Sequence, residues 1–127
     1  PLTMIGLDVT HQVITTPDRL AALENLGTPV GNAAAKLLRP YGQSDCDRHN
    51  LAAPPLHDPC VIAYLLRPDL FGGRPMRLAV ETEGSLCLGR TVANAYPSLA
   101  TPANATVIET ADAEGIYALL TERLGKL

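Results

Sequence analysis

His57 and Asp58 stand side by side in Leu56-His57-Asp58-Pro59, directly ahead of an apolar run. An aspartate offers hard oxygen to a cation such as Ca2+, and an imidazole exchanges a proton near neutral pH. Held together on a rigid helix entrance, the pair can bind a metal and move a proton. The same residues also have an ordinary reading: Asp before Pro is common N-cap chemistry, and the histidine beside it is then incidental. A second polar group lies in Asp8-Val9-Thr10-His11-Gln12, after an apolar stretch. Ligands of open α/β sheets bind beyond the carboxyl ends of strands, so His11 is a further candidate. Asp8, Thr10 and His11 equally fit a local hydrogen-bonded turn. His49 reads as a solvated loop residue.

The elements that must position these groups follow from local patterns. Met4 to Thr10 reads as a short buried strand. Thr16-Pro17-Asp18 opens a helix, with Thr16 as N-cap, Pro17 in the first turn and Asp18 at the positive end of the dipole. Leu20, Leu23 and Leu26 follow, and Gly27 stops it. Thr28-Pro29 opens a second helix, with Val30, Ala33, Ala34, Leu37 and Leu38 on one face and Gly42 at its end. Residues 42–56 read as a polar loop marked by Pro54 and Pro55, and long loops are often functional. Cys60 to Leu66 is apolar all round and reads as a buried helix. Arg77 to Glu83, Gly84-Ser85 and Leu86 to Ala93 predict a hairpin with a two-residue turn. Ala105 to Glu109 is another strand, and Asp112 caps a final helix carrying Ile116, Leu120 and Leu124 on one face. The expected class is α/β, with a mainly parallel sheet flanked by helices and an antiparallel hairpin near the C-terminus.

Composition narrows the function. The 127 residues are the size of a single domain, here 1–127, and 46% are hydrophobic, which excludes intrinsic disorder. Ten Lys and Arg against thirteen Asp and Glu give a net charge of −3, which argues against nucleic acid as partner. Aromatic residues are only 4%, too few for base-stacking platforms. The apolar runs are short, so no membrane span is expected. Cys46, Cys60 and Cys87 have neither disulfide nor zinc spacing. They read as free thiols of a reducing compartment, and with no visible signal peptide the expected location is the cytoplasm. Asn104-Ala105-Thr106 fits a glycosylation sequon, which acts only in a secreted context. The chain opens on Pro1 without Met, so it is expected to be a piece of a longer polypeptide.

Four segments in order carry a resemblance: Asp8-Val9-Thr10-His11, Leu56-His57-Asp58-Pro59 opening an apolar helix, Val80-Glu81-Thr82-Glu83-Gly84, and Gly89-Arg90-Thr91-Val92. Together they resemble the C-terminal part of the nucleoside hydrolases, the inosine–uridine-preferring N-ribohydrolases, over nearly the whole chain. The resemblance implies hydrolysis of the N-glycosidic bond of a ribonucleoside to free base and ribose, as in nucleoside salvage. It implies an α/β fold, a Ca2+ cofactor, and a homo-oligomer as the expected assembly. By position, Asp58 is similar to the family's calcium-ligand aspartate. His57 is similar to the histidine that faces the base and assists its departure. The chemistry is coherent, because cleavage passes through an oxocarbenium-like state and a leaving base gains from a nearby proton donor.

The sequence also departs from the family. An N-terminal aspartate cluster of pattern D-x-D-x-x-x-D-D, source of the other calcium carboxylates and the general base, is absent. Asp45 and Asp47 form no such pattern. Ca2+ takes ~6–8 oxygen ligands, so Asp58 cannot make the site alone. The alternative reading is therefore a non-catalytic fragment that folds and self-associates without activity. A third reading, a helical metal-dependent phosphohydrolase built on a His-Asp dyad, requires further ligands on surrounding helices. The neighbours here are strands, which argues against it.

Overall fold

The computed structural model describes residues 1–96, 98 and 100–127, with Gln43 described by its backbone alone. Three helix starts follow from cap chemistry within one turn. Helix α2 (Pro17–Glu24) is capped by Thr16, whose hydroxyl accepts from the Arg19 N–H at 3.3 Å. Helix α3 (Pro29–Leu38) is capped by Thr28, accepting from Gly31 at 3.0 Å. Helix α6 (Ala113–Leu124) is capped by Asp112, accepting from Gly115 at 3.1 Å. Each cap satisfies an N–H that the first turn would otherwise leave unpaired.

Residues Met4 to Thr10 do not form one strand. Strand β1 covers Thr3–Ile5, and Leu7–Thr10 turns into the short helix α1. The N–H groups of Val9 and Thr10 both donate to Gly6 O, at 3.1 and 3.2 Å, so the chain leaves the sheet at Gly6. This turn buries Val9 fully while leaving Leu7 more than half exposed.

Residues 42–56 are not all loop. Helix α4 spans Gln43–His49, between two left-handed residues, Gly42 (φ 75°) and Asn50 (φ 52°). Asp45 in its first turn and Arg48 and His49 in its last suit the helix dipole. The polar composition hid it: of its described side chains only Cys46 is buried, so it has no apolar stripe to read. Helix α5 (Pro59–Leu66) is present, but it is not buried on all sides. Cys60 and Ala63 face the core, while Ile62 and Leu65 are 58% and 71% exposed.

The sheet is mixed, not mainly parallel. Its order is β1-β4-β2-β3, with β2 at Phe71–Val80, β3 at Thr91–Asn94 and β4 at Ala105–Ala111. Among the described residues only β1 and β4 pair in parallel, while β2 is antiparallel to both β3 and β4. The reason is connectivity: a crossover as long as residues 6–104 can return parallel, whereas β2 doubles back to both neighbours. The β2–β3 hairpin exists, but its strands pair from Val80 with Thr91, so ten residues connect them rather than two. Glu81 organises that connection, its carboxylate accepting from the Glu83 and Gly84 N–H groups at 2.8 and 2.9 Å. The β2–β4 register shifts at Gly72/Gly73. A Cβ on Gly73 would lie 2.5 Å from Val107 O, so only glycine allows this approach. Asn104 is spent on structure: its amide accepts from Leu78 N–H at 2.7 Å and donates to Leu78 O at 3.0 Å.

The core joins Val13, Leu56, Cys60 and Ala63 to Ile116, Tyr117 and Leu119 of α6. A buried bond between Thr15 and Tyr117, 2.7 Å, ties the start of the chain to its end. Among the described residues no helix is long and apolar enough to cross a membrane.

Candidate functional site

Local pairing brings His57 to the end of the first helix. Residues 13–15 and 54–56 run antiparallel, with Thr15 N–H donating to Pro54 O at 2.6 Å and Leu56 N–H to Val13 O at 2.7 Å. Val13, Pro55 and Leu56 are fully buried along this seam, which makes it rigid. Gln12 pins the other side: its amide donates to Asp8 O and Glu109 O, both at 2.9 Å, and accepts from Ala111 N–H at 3.2 Å. Thr10 and His57, 47 residues apart, therefore meet at 2.8 Å between Oγ1 and Nδ1.

The imidazole of His57 has a partner on each nitrogen. Nε2 lies 3.4 Å from Asp45 Oδ2, on α4. The Thr10 hydroxyl has two acceptors in reach, His57 Nδ1 at 2.8 Å and Leu7 O at 3.4 Å. The Asp45 carboxylate only accepts, so the neutral ring carries its N–H on Nε2, facing it, and Nδ1 accepts from the Thr10 hydroxyl. Asp45 thus faces Nε2, and Thr10 fixes the ring plane at Nδ1.

His57 lies at the centre of an aromatic group. His11 lies 5.7 Å from its ring centroid and Tyr41 6.3 Å, both edge-on. His49 lies 4.9 Å from His11. All three histidines of the chain are therefore gathered at one place, so His49, though exposed, belongs to this group and does not simply point to solvent from a loop. Burial, then repulsion from His49 and His57, holds the His11 pKa below its ordinary 6.5, against the opposing pull of Asp45 and Asp8. Asp45, set aside in the sequence for want of a motif, is the residue that sequence reasoning missed. Its signal was the spacing of Asp45 and His49, four apart and thus on one face of a helix.

Asp58 sits at the entrance of α5 with helical dihedrals of its own, and its side chain does not cap the helix. Among the described residues no hydrogen bond or ion pair engages its exposed carboxylate. The N-cap explanation of Asp58 therefore fails. His57 and Asp58 share a cavity of about 380 Å3 with Ile5, Leu7, Thr10 and Tyr41. The donor set does not complete a calcium site: among the described residues no group of three or more His, Cys, Asp or Glu is arranged to hold a metal. Asp58 supplies one hard oxygen donor, well short of the ~6–8 that Ca2+ takes. The three imidazoles likewise form no ligand set.

The fold is shared with solved nucleoside hydrolases. A purine-preferring ribonucleoside hydrolase from Gardnerella vaginalis superposes with a TM-score of 0.81 at 27% identity, over 99% of this chain and 40% of that one. A plant nucleoside hydrolase gives 0.79 at 26% identity, over 98% and 41%. The chain belongs to the inosine-uridine preferring nucleoside hydrolase family, whose model matches residues 1–118. It is 38% identical over 125 residues to the pyrimidine-specific ribonucleoside hydrolase RihA of Shewanella sp. strain ANA-3. It is 34% identical over 122 residues to the pyrimidine-specific ribonucleoside hydrolase RihB of an Escherichia coli strain. The chain spans 39% of the length of each of these two relatives.

Proposed function

We propose that this chain supplies the proton-donor side of a ribonucleoside hydrolase, which cleaves an N-glycosidic bond to free base and ribose. The observation that carries the reading is the pair of contacts on His57: Thr10 on Nδ1 at 2.8 Å and Asp45 by Nε2 at 3.4 Å. A departing base accumulates negative charge as the ribosyl carbon becomes cationic. A histidine held between a hydroxyl on one nitrogen and a carboxylate near the other can deliver a proton to that base. Asp45 orients the Nε2 side of the ring, and Tyr41 and His11 border it edge-on. Asp58, next in sequence and free of other partners, is proposed as one carboxylate of a calcium site; bound Ca2+ would hold ribose hydroxyls and water. The other ligands would come from outside the described residues.

Relatives named pyrimidine-specific and a structural neighbour named purine-preferring share the ribosyl chemistry, so the proposal is made for the N-ribosidic bond and not for one base. The 127-residue chain by itself is expected to release no base, because among the described residues no group of three or more His, Cys, Asp or Glu is arranged to hold a metal. The test is His57→Ala in a chimera in which residues 1–127 replace the matching segment of a RihA-type relative. An acid catalyst contributes roughly 10²–10⁴-fold, so turnover of a natural nucleoside should fall by about that factor. Nitrophenyl riboside, whose leaving group needs no proton, should lose far less. Equal losses on both substrates would show that His57 positions the ribose or the metal instead.

A further inference from the structure

Tyr117 on α6 and Arg19 on α2 touch nothing in the His57 pocket, yet both grip the segment that leads to it. Residues 13–15 and 54–56 are joined by two backbone bonds, Thr15 N–H to Pro54 O and Leu56 N–H to Val13 O, around the facing pair Ile14 and Pro55. A ladder this short is marginal by itself. Ile14 and Pro55 form a non-hydrogen-bonded pair, so Ile14 O points away from the seam. Arg19 Nη1 donates to it there, at 2.6 Å. The next residue is held by its side chain: the buried hydroxyls of Thr15 and Tyr117 bond at 2.7 Å. The Arg19 guanidinium carbon lies 4.8 Å from the Tyr117 ring centroid, and Nη2 reaches Glu114 at 2.5 Å. Glu114 and Tyr117 are three apart and so share one face of α6. Ile14 and Thr15 are thereby fastened, one after the other, to the last helix of the chain.

We propose that Tyr117 and Arg19 are positioning residues for His57: by bracing Ile14 and Thr15 against α6 they set where the 54–56 segment, and with it the imidazole, meets Thr10. This rests on the proposed function for what His57 does, while the place of the ring is separately measurable. The path is short. The Tyr117 hydroxyl holds Thr15, the Thr15 N–H holds Pro54, Val13 O holds Leu56, and His57 follows. Thr10 is linked to the same segment, since the Val13 N–H donates to Thr10 O at 3.0 Å. A tilt of the seam therefore acts on the 2.8 Å contact between Thr10 Oγ1 and His57 Nδ1. The three bracing side chains are not equal. Tyr117 is buried and the Arg19 side chain is 12% exposed, so their bonds are shielded from water. Glu114 is 84% exposed, and an ion pair so open contributes little.

The experiment is nitrogen-15 NMR of the 127-residue chain at a pH where the imidazoles are neutral, reading the ratio of Nε2–H to Nδ1–H tautomers of His57. Tyr117→Phe keeps the ring that Arg19 covers and removes the hydroxyl. The ratio should fall by roughly 2–10-fold, the factor an ordinary bond at Nδ1 supplies. Arg19→Met, which removes the donor to Ile14 O, should lower it likewise. Met76→Ala, a buried truncation on β2, should lower the urea midpoint and leave the ratio unchanged, because Met76 has no part in the brace. Thr15→Val combined with Tyr117→Phe removes both hydroxyls and leaves neither orphaned, so most of the stability should return. The ratio should nonetheless stay low, because an apolar contact carries no direction. Should Tyr117→Phe alone not fold, the double variant gives the same reading. A ratio unchanged in Tyr117→Phe, restored together with stability in the double variant, or lowered equally by Met76→Ala would each overturn the proposal. In the RihA-type chimera, Tyr117→Phe should lower kcat on a natural nucleoside by roughly tenfold, inside the ~10²–10⁴ of a proton donor, with KM unchanged and nitrophenyl riboside little affected. A lowered tautomer ratio with kcat unchanged, or with equal losses on both substrates, refutes the proposed function and leaves the positioning standing.

Discussion

Replacing Thr10 by Val removes one hydroxyl and keeps the β-branched shape, so it isolates the bond that orients His57. Thr10 is only 5% exposed, and its hydroxyl has contacts of 2.8 Å to His57 Nδ1 and 3.4 Å to Leu7 O. The longer contact is at the edge of bonding distance and contributes little. The shorter is an ordinary neutral bond, with a net contribution of about 0.5–1.5 kcal/mol. Loss of the donor also leaves Nδ1 unpaired on a ring that is 17% exposed, which adds part of a desolvation cost of about 1–3 kcal/mol. The buried methyl returns some of this, up to ~0.8 kcal/mol. We expect Thr10→Val to destabilise the chain by about 1–2 kcal/mol, a fall in Tm of a few degrees. Urea unfolding of the 127-residue chain measures the loss, which should appear as a lower midpoint with an unchanged slope. Nitrogen-15 NMR of the imidazole measures the orientation: the neutral His57 ring should be the Nε2–H tautomer in the parent chain, and Nδ1–H should gain population in the variant. A double-mutant cycle with His57→Ala separates bond from packing. In the His57→Ala background the Thr10→Val cost should drop to ~0.5 kcal/mol or less. An equal cost in both backgrounds, with an unchanged tautomer, would refute the claim that Thr10 acts through His57.

Three further outcomes are expected. Asp58→Ala should change the stability of the isolated chain by no more than about 0.5 kcal/mol, since its carboxylate has no partner among the described residues; in the chimera it should sharply weaken calcium binding by calorimetric titration, and micromolar Ca2+ binding to the 127-residue chain alone would contradict the proposed donor count. His11, whose pKa lies below 6.5 in the folded chain, is protonated first in the unfolded one, so the stability it contributes is present above pH 6.5 and lost as pH falls through the lower native value. His11→Gln should therefore flatten the acid-side decline in unfolding free energy, and an unaltered decline would refute the assignment. Alkylation near pH 8 should give a single adduct at exposed Cys87, because Cys46 and Cys60 are buried and burial pushes the Cys60 thiol up to about 11; rapid native modification of Cys60, read by mass spectrometry of peptides, would count against this packing.

The amino-acid sequence determined what is decided within one turn. Thr16, Thr28 and Asp112 cap the helices expected of them, because donor and acceptor lie three residues apart and need nothing from the rest of the chain. The adjacency of His57 and Asp58 was legible directly, and the family resemblance was carried by four short motifs in order along the chain. The tertiary structure decided what depends on partners far along the chain. Whether Leu7 to Thr10 continues β1 or turns into α1 depends on Gly6 accepting two N–H groups and on a core that takes Val9. The parallel pairing of β1 with β4 and the antiparallel pairing of β2 join residues that no local pattern relates. Helix α4 has no apolar stripe, so only its left-handed ends and its packing reveal it. The site itself is the clearest case. Thr10, Asp45 and His57 are 47 and 12 residues from meeting in sequence, and they converge because the 13–15 and 54–56 segments pair backbone to backbone over buried Val13 and Leu56. That seam buries apolar area while its N–H and C=O groups satisfy one another, and the free energy of this joint burial, absent from any single residue, sets where His57 stands.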